Sequence, residues 1–128
     1  MNNFNNNDYK DEVKTKWGNT KSYKEYTEKT KNYSKEKYNL IIDSMNNIFK
    51  DFSICMLNGE SVNSEVVQEL VKKLQNYISE NLYLCTNEIL KNLGQMYILD
   101  ERFKNNIDKY KEGTALFVND AISVYCNK

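Results

Sequence analysis

Residues 81–103 read NLYLCTNEILKNLGQMYILDERF, and the reading of this stretch decides the fold. Ile89, Leu90, Leu93, Met96 and Tyr97 recur at helical spacing, so one face of a helix must be buried. Thr86 can cap its start, because a hydroxyl accepts a bond from an otherwise unpaired backbone N–H. Asp100 then reads as the N-cap of the next helix, with Glu101 in its first turn, where the helix dipole favours negative charge. Tyr97, Phe103 and the segment 81–85 would sit at the edges of one helical corner, the expected floor of any cavity.

Outward from that corner, the chain is helical nearly throughout. It has no Pro and only four Gly, so the punctuation that strands and turns require is scarce. Ser34 caps a long helix from Lys35 to about Leu57, whose apolar residues Tyr38, Ile41, Ile42, Met45, Ile48, Phe49, Phe52, Cys55 and Met56 recur at three and four. Asn58-Gly59 ends it, since Gly can take the left-handed conformation of a helix stop. Ser64 caps a helix to about Ser79 with Val67, Leu70, Val71, Leu74 and Ile78 inward. Beyond the corner, a helix runs from Asp100 to Lys111 with Gly113 as its stop. A last helix from about Thr114 buries Phe117, Val118, Ala121, Ile122 and Tyr125.

The front of the chain differs in kind. Residues 1–7, MNNFNNN, are low-complexity and expected to be disordered. Asp8 to Trp17 can form a short helix, Gly18-Asn19 breaks it, and Thr20 can cap a second carrying Tyr23, Tyr26 and Tyr33. Apart from Met1, Val13 is the only aliphatic residue before Leu40. Such a segment buries too little apolar surface to offset its own ordering entropy. It must dock on the rest of the protein or on a ligand through aromatic side chains, which give rigid, half-polar contact area. Two readings stay open: an amphipathic hairpin docked permanently, and a lid over residues 8–33 that orders when a ligand arrives. Residues 34–126 form the helical core of a single domain.

Composition narrows the chemistry. Eighteen basic residues balance eighteen acidic ones, which argues against a nucleic-acid footprint for the whole chain. Residues 1–37 carry +3 and residues 38–128 carry −3, so the basic front faces an acidic remainder. With no His, His-ligated zinc, proximal-His haem and a Ser–His–Asp triad are excluded. Cys55, Cys85 and Cys126 are isolated, without metal-ligand or disulfide-framework spacing. There is no signal peptide and no apolar run of membrane-spanning length, so a cytoplasmic protein is expected. Asp100, Glu101 and Glu88 are the carboxylates that could act as a base, but helix starts explain them better. Cys85 precedes a helix start, where a thiolate can be stabilised, yet no base stands near it in the sequence. Ile89, Leu93 and Met96 could line a cofactor box, though most such stripes are core. What remains is shape-based binding of something aromatic or apolar in a helical cleft.

Certain residues carry a resemblance. Trp17-Gly18-Asn19-Thr20 followed by Tyr23, Asn81-Leu82-Tyr83-Leu84-Cys85, Glu88, Leu93-Gly94-Gln95-Met96-Tyr97, Asp100-Glu101-Arg102-Phe103, Ile107-Asp108, Gly113 and Ala121-Ile122 together resemble the TipAS-type antibiotic-binding domain, from about Asp8 to Tyr125. That domain is the drug-recognition half of MerR-like multidrug-responsive regulators and also occurs alone. The resemblance implies a globin-like all-α fold without haem or other cofactor or metal, a cleft for thiopeptides or other bulky heteroaromatic antibiotics, and a front that is mobile until ligand arrives. It places Trp17, Tyr23, Tyr83, Cys85, Met96, Tyr97, Asp100, Phe103 and Phe117 at the ligand. The chain departs from the family pattern where relatives carry His, holding Leu74, Tyr77 and Leu90 there. It also has Asn92 where thiopeptide-binding relatives can carry a second Cys. The expected function is non-enzymatic sequestration of an antibiotic-like molecule. The alternatives are the ligand-sensing effector half of a regulator and a helical interaction module. The low-complexity start at Met1 favours a stand-alone form, expected to be a monomer or weak dimer that binds neither DNA nor membrane by itself.

Overall fold

The structure, a computed structural model, describes residues 21–128. The expectations for residues 1–7, for the helix from Asp8 to Trp17 and for the Thr20 cap lie outside the described residues. Within them the chain forms six helices: α1 (Lys21–Thr30), α2 (Lys35–Leu57), α3 (Glu65–Asn81), α4 (Asn87–Leu99), α5 (Glu101–Asp108) and α6 (Thr114–Cys126). The domain is all-α, as the spacing of its apolar residues requires, and no described residue is in a strand.

Four helix starts are set by side chains the sequence singles out. Ser34 Oγ accepts from Lys37 N at 3.0 Å, Ser64 Oγ from Val67 N at 3.3 Å, Thr86 Oγ1 from Ile89 N at 3.2 Å and Asp100 Oδ1 from Arg102 N at 2.9 Å. Each satisfies a backbone donor that the helix itself leaves unpaired, and each first turn also carries a Glu that the dipole favours. At the far end of α2, Gly59 turns the chain at φ +81°, and Glu60 N returns to Cys55 O at 3.0 Å.

The core runs through α2 to α6. α6 is the central helix, packing against α2, α3, α4 and α5, most extensively against α4. Its buried residues, Thr114, Ala115, Val118, Asn119, Ala121 and Ile122, are small or β-branched, which lets four neighbours approach. Phe117 and Tyr125, expected inside, are only partly buried at its margin. The tight seat on α4 depends on Gly94: a Cβ there would fall 2.5 Å from Asn119 Oδ1 and 3.3 Å from Ile122 Cδ1.

One boundary differs from the expectation. α5 stops at Asp108 rather than continuing to Lys111. Asp108, the last residue of α5, turns its side chain to the next helix: its Oδ1 accepts from Ala115 N at 2.8 Å while Lys104 Nζ sits 3.3 Å from Oδ2. Gly113, at φ +95°, is the residue before α6 and supplies no side-chain cap. Asp108 acts as that cap from seven residues upstream.

Two stability changes follow. Gly94→Ala must displace the Asn119 side chain; overpacking of about 1–3 kcal/mol is partly offset by the roughly 1 kcal/mol that Ala gains over Gly inside a helix, so a net loss below about 2 kcal/mol is expected. Asp108→Ala leaves the α6 start uncapped and should cost about 0.5–2 kcal/mol. Urea denaturation followed by circular dichroism measures both; a raised midpoint for Gly94→Ala would mean that the α4–α6 contact relaxes without cost.

Candidate ligand-binding site

The residues expected at the ligand fall into two neighbourhoods. The first lies where α1 meets the loop between α3 and α4. Tyr26 of α1 is buried; its ring meets Tyr38 edge-on at 6.5 Å and Tyr83 at 6.4 Å and 61°. The hydroxyls of Tyr26 and Tyr38 are hydrogen-bonded to each other. Tyr23 lies beside Tyr26, ring centroids 6.2 Å apart. Farther along, the Tyr33 hydroxyl donates to Asn81 O at 2.9 Å. α1 stands apart from the close helix–helix contacts that join α2 to α6, so long tyrosine side chains hold it in place. Burial pushes the Tyr26 hydroxyl up to about 12, an effect that its bond with Tyr38 only partly offsets.

Beside this aromatic seam is an open groove of about 420 Å³. Tyr83 and Leu84 form one side, and Lys24, Glu25, Glu28 and Lys29 of α1 the other. Tyr83 is fully buried, whereas Leu84 is 54% exposed. That exposure leaves an apolar contact open at the mouth. The groove is open to solvent, and Lys24, Glu25, Glu28 and Lys29 give it a charged wall of both signs beside the apolar Leu84.

The loop carrying Tyr83 is fixed from below. Gln75 Nε2 donates to Cys85 O at 3.0 Å and to Asn87 Oδ1 at 2.8 Å, and Tyr125 OH donates to Gln75 Oε1 at 3.0 Å. Ser79 Oγ accepts from Cys85 N at 3.0 Å. Cys85 is thus immobilised and 3% exposed. Burial pushes its thiol up to about 12, and the neighbouring Cys126 adds to this. The helix start after it does not produce a thiolate.

The second neighbourhood is the α4–α5 corner. Tyr97 packs against Phe49 at 5.3 Å, nearly perpendicular, and against Phe103 at 6.2 Å. All three, with Ile42, Met45, Asn46, Asn106 and Ile107, surround a small internal chamber of about 10 Å³. Met96 is buried beside them in sequence. Asp100 caps α5 and also receives Arg102 Nη2 at 3.2 Å and Nε at 3.3 Å, so its carboxylate is committed to the corner.

Of the residues expected at the ligand, the structure places Tyr83 at the groove and Tyr97 and Phe103 together at the chamber, whereas Tyr23, Cys85, Met96, Asp100 and Phe117 line neither. Trp17 lies outside the described residues. Sequence reasoning missed Leu84, Lys24, Glu25, Glu28 and Lys29 as groove residues. For Leu84 the signal was available, since it alternates with the buried Tyr83 and Cys85.

The described helices and the groove define a class: an all-α domain with an open groove beside α1. The chain belongs to the TipAS antibiotic-recognition domain family, whose model matches residues 9–125. It is 38% identical over 119 residues to the HTH-type transcriptional activator TipA of Streptomyces coelicolor, a match covering 93% of this chain and 47% of TipA. It is 35% identical over 120 residues to the HTH-type transcriptional activator mta of Bacillus subtilis, covering 93% of this chain and 45% of mta. The chain thus spans about half the length of the curated relatives it matches. Among solved structures it resembles TipAS of Streptomyces lividans in complex with nosiheptide, part of a thiopeptide antibiotic multidrug resistance system. The TM-score is 0.83 at 36% identity, over 98% of this chain and 87% of that one. The globin-like all-α expectation agrees with this neighbour. No described helix is long and apolar enough to cross a membrane.

The Cys85 environment makes a pH-dependent prediction. A thiol with a folded pKa of about 12 against an ordinary 9.0 stabilises the fold fully below pH 9, and that contribution is lost as pH rises through 12. At pH 8 iodoacetamide should leave Cys85 unmodified in the folded protein and alkylate it in urea. Peptide mass spectrometry reads both, and rapid native alkylation would show the site to be open.

Proposed function

We propose that this domain binds a thiopeptide or other bulky heteroaromatic antibiotic, non-covalently and without turnover, in the groove between α1 and the Tyr83–Cys85 loop. The observation that carries the reading is the likeness to nosiheptide-bound TipAS over 98% of the chain. The groove supports it with chemistry of the right kind. Leu84 offers exposed apolar area over the buried Tyr83, and Lys24, Glu25, Glu28 and Lys29 offer donors and acceptors for amides at the rim. Trp17, Met96, Tyr97, Asp100, Phe103 and Phe117 belong to the proposal as family positions. For Tyr97 and Phe103, the described packing supports a role in shaping the floor.

The non-enzymatic reading rests on the available groups. The chain has no His, the described residues hold no cluster of metal-ligating side chains, and Cys85 is held protonated. Acting as a monomer or weak dimer in the cytoplasm, the domain protects by sequestration: each molecule lowers free drug by one. A second reading, in which the domain is the sensing half of a regulator, is favoured by the curated relatives, which are HTH-type activators about twice as long. The lid belongs to both. Residues 21–33 are tied to the core by tyrosines rather than aliphatic area, and ligand would strengthen the hold of residues 8–33.

Calorimetric titration with nosiheptide should show saturable binding at one drug per chain, with the drug recovered unmodified by mass spectrometry after denaturation. Modified drug in excess of protein would mean an enzyme, and a specific gel shift on the gene's own promoter would mean a regulator. No binding across a thiopeptide panel would sink the proposal.

Tyr83→Leu removes the buried ring that meets Tyr26 beneath the groove and should weaken binding by about 0.5–1.5 kcal/mol, the worth of an aromatic pair beyond its area. Stability is measured alongside. Unchanged affinity with lowered stability would reduce Tyr83 to plain core.

A further inference from the structure

The chamber between α2, α4 and α5 contains a buried polar feature. Its walls are mostly apolar, with Phe49, Phe103 and Ile107 among them, but two asparagines also line it, Asn46 and Asn106. Asn106 is 1% exposed. Its Nδ2 donates to Asn46 Oδ1 at 3.0 Å, whereas its own Oδ1 has no hydrogen-bond partner. Turning the Asn106 amide over does not remove the difficulty, because the NH2 would then stand where the oxygen does and require an acceptor instead. A buried amide end without a partner carries the whole desolvation penalty of a group that bonded to water in the unfolded chain.

The dimensions indicate what meets that need. A volume of about 10 Å³ corresponds to roughly one water-sized probe, the smallest space that admits a water. We infer that the chamber is a specific site for a single internal water, which donates to Asn106 Oδ1 and bridges it to the Asn46 amide. Asn46 Oδ1 has a second lone pair for the other hydrogen, so one water satisfies both asparagines. Asn46 is only partly buried, and its side chain marks the route by which the water exchanges with solvent. Through this bridge, α2 and α5 are held by a polar contact inside an otherwise apolar layer.

The alternative is a dry chamber in which Asn106 bears its penalty unrelieved. Water–amide rotating-frame NMR on the ligand-free protein, with the Asn106 side-chain NH2 assigned, separates the two. The expected result is a cross-peak of rotating-frame sign for a long-lived water at the Asn106 and Asn46 amides. That peak should vanish in Asn106→Leu, with a midpoint temperature equal to or above the wild type's, because a side chain of similar volume removes both the orphan oxygen and the water's seat. Absence of any long-lived water at Asn106 in the wild-type protein would overturn the inference. That measurement stands whether or not the Leu variant folds.

Discussion

The close approach of α4 to α6 at Gly94 is the constraint on which the rest of the domain depends. α6 touches every other core helix, so whatever fixes its distance from α4 fixes the spacing of the whole core. Where another residue would place a Cβ, Gly94 leaves room for Asn119 Oδ1, and that oxygen accepts from Gln95 Nε2 at 3.4 Å. The backbone of α4 can then lie against the buried face of α6. Both ends of α4 are positioned by this seat: Thr86, which closes the loop carrying Tyr83 and Cys85, and Asp100, which opens α5. The groove loop precedes α4 and Tyr97 of the chamber stands in its last turn, so both flank the helix seated at Gly94.

Two kinds of adhesion divide the molecule. From α2 onward the core is aliphatic and aromatic area removed from water, the non-directional term that dominates folding. α1 is attached differently. Tyr26 reaches Tyr38 and Tyr83, Tyr33 reaches Asn81, and little backbone of α1 comes near another helix. The groove accordingly has one wall on α1 and the other on the loop that Gln75 and Ser79 hold from below.

The sequence made most of this legible, for identifiable reasons. Ser34, Ser64, Thr86 and Asp100 announce their helices because capping is local chemistry, decided within four residues. The α2 stripe announces its burial because period 3.6 has no other cause. The end of α5 was not legible. Asp108 is the last residue of α5, yet its side chain caps a helix that begins six residues later, and nothing local distinguishes it from an ordinary last-turn residue. Nor was the partition of the site visible. Tyr83 and Tyr97 look equivalent in sequence, and only the packing puts one beside α1 and the other at the chamber. The partial exposure of Phe117 and Tyr125 has the same origin: a helix apolar on most faces does not say which of them meets the margin.

The tyrosine attachment of α1 has a thermal consequence. Interactions made of bulk apolar area bring a large heat-capacity change and a curved dependence of stability on temperature. The hold on α1 uses less such area and more hydroxyl bonds and edge-on rings, so its opening carries a small heat-capacity change and a nearly straight dependence. On warming, the hold on α1 is therefore expected to change evenly, whereas the stability of the core follows a curve.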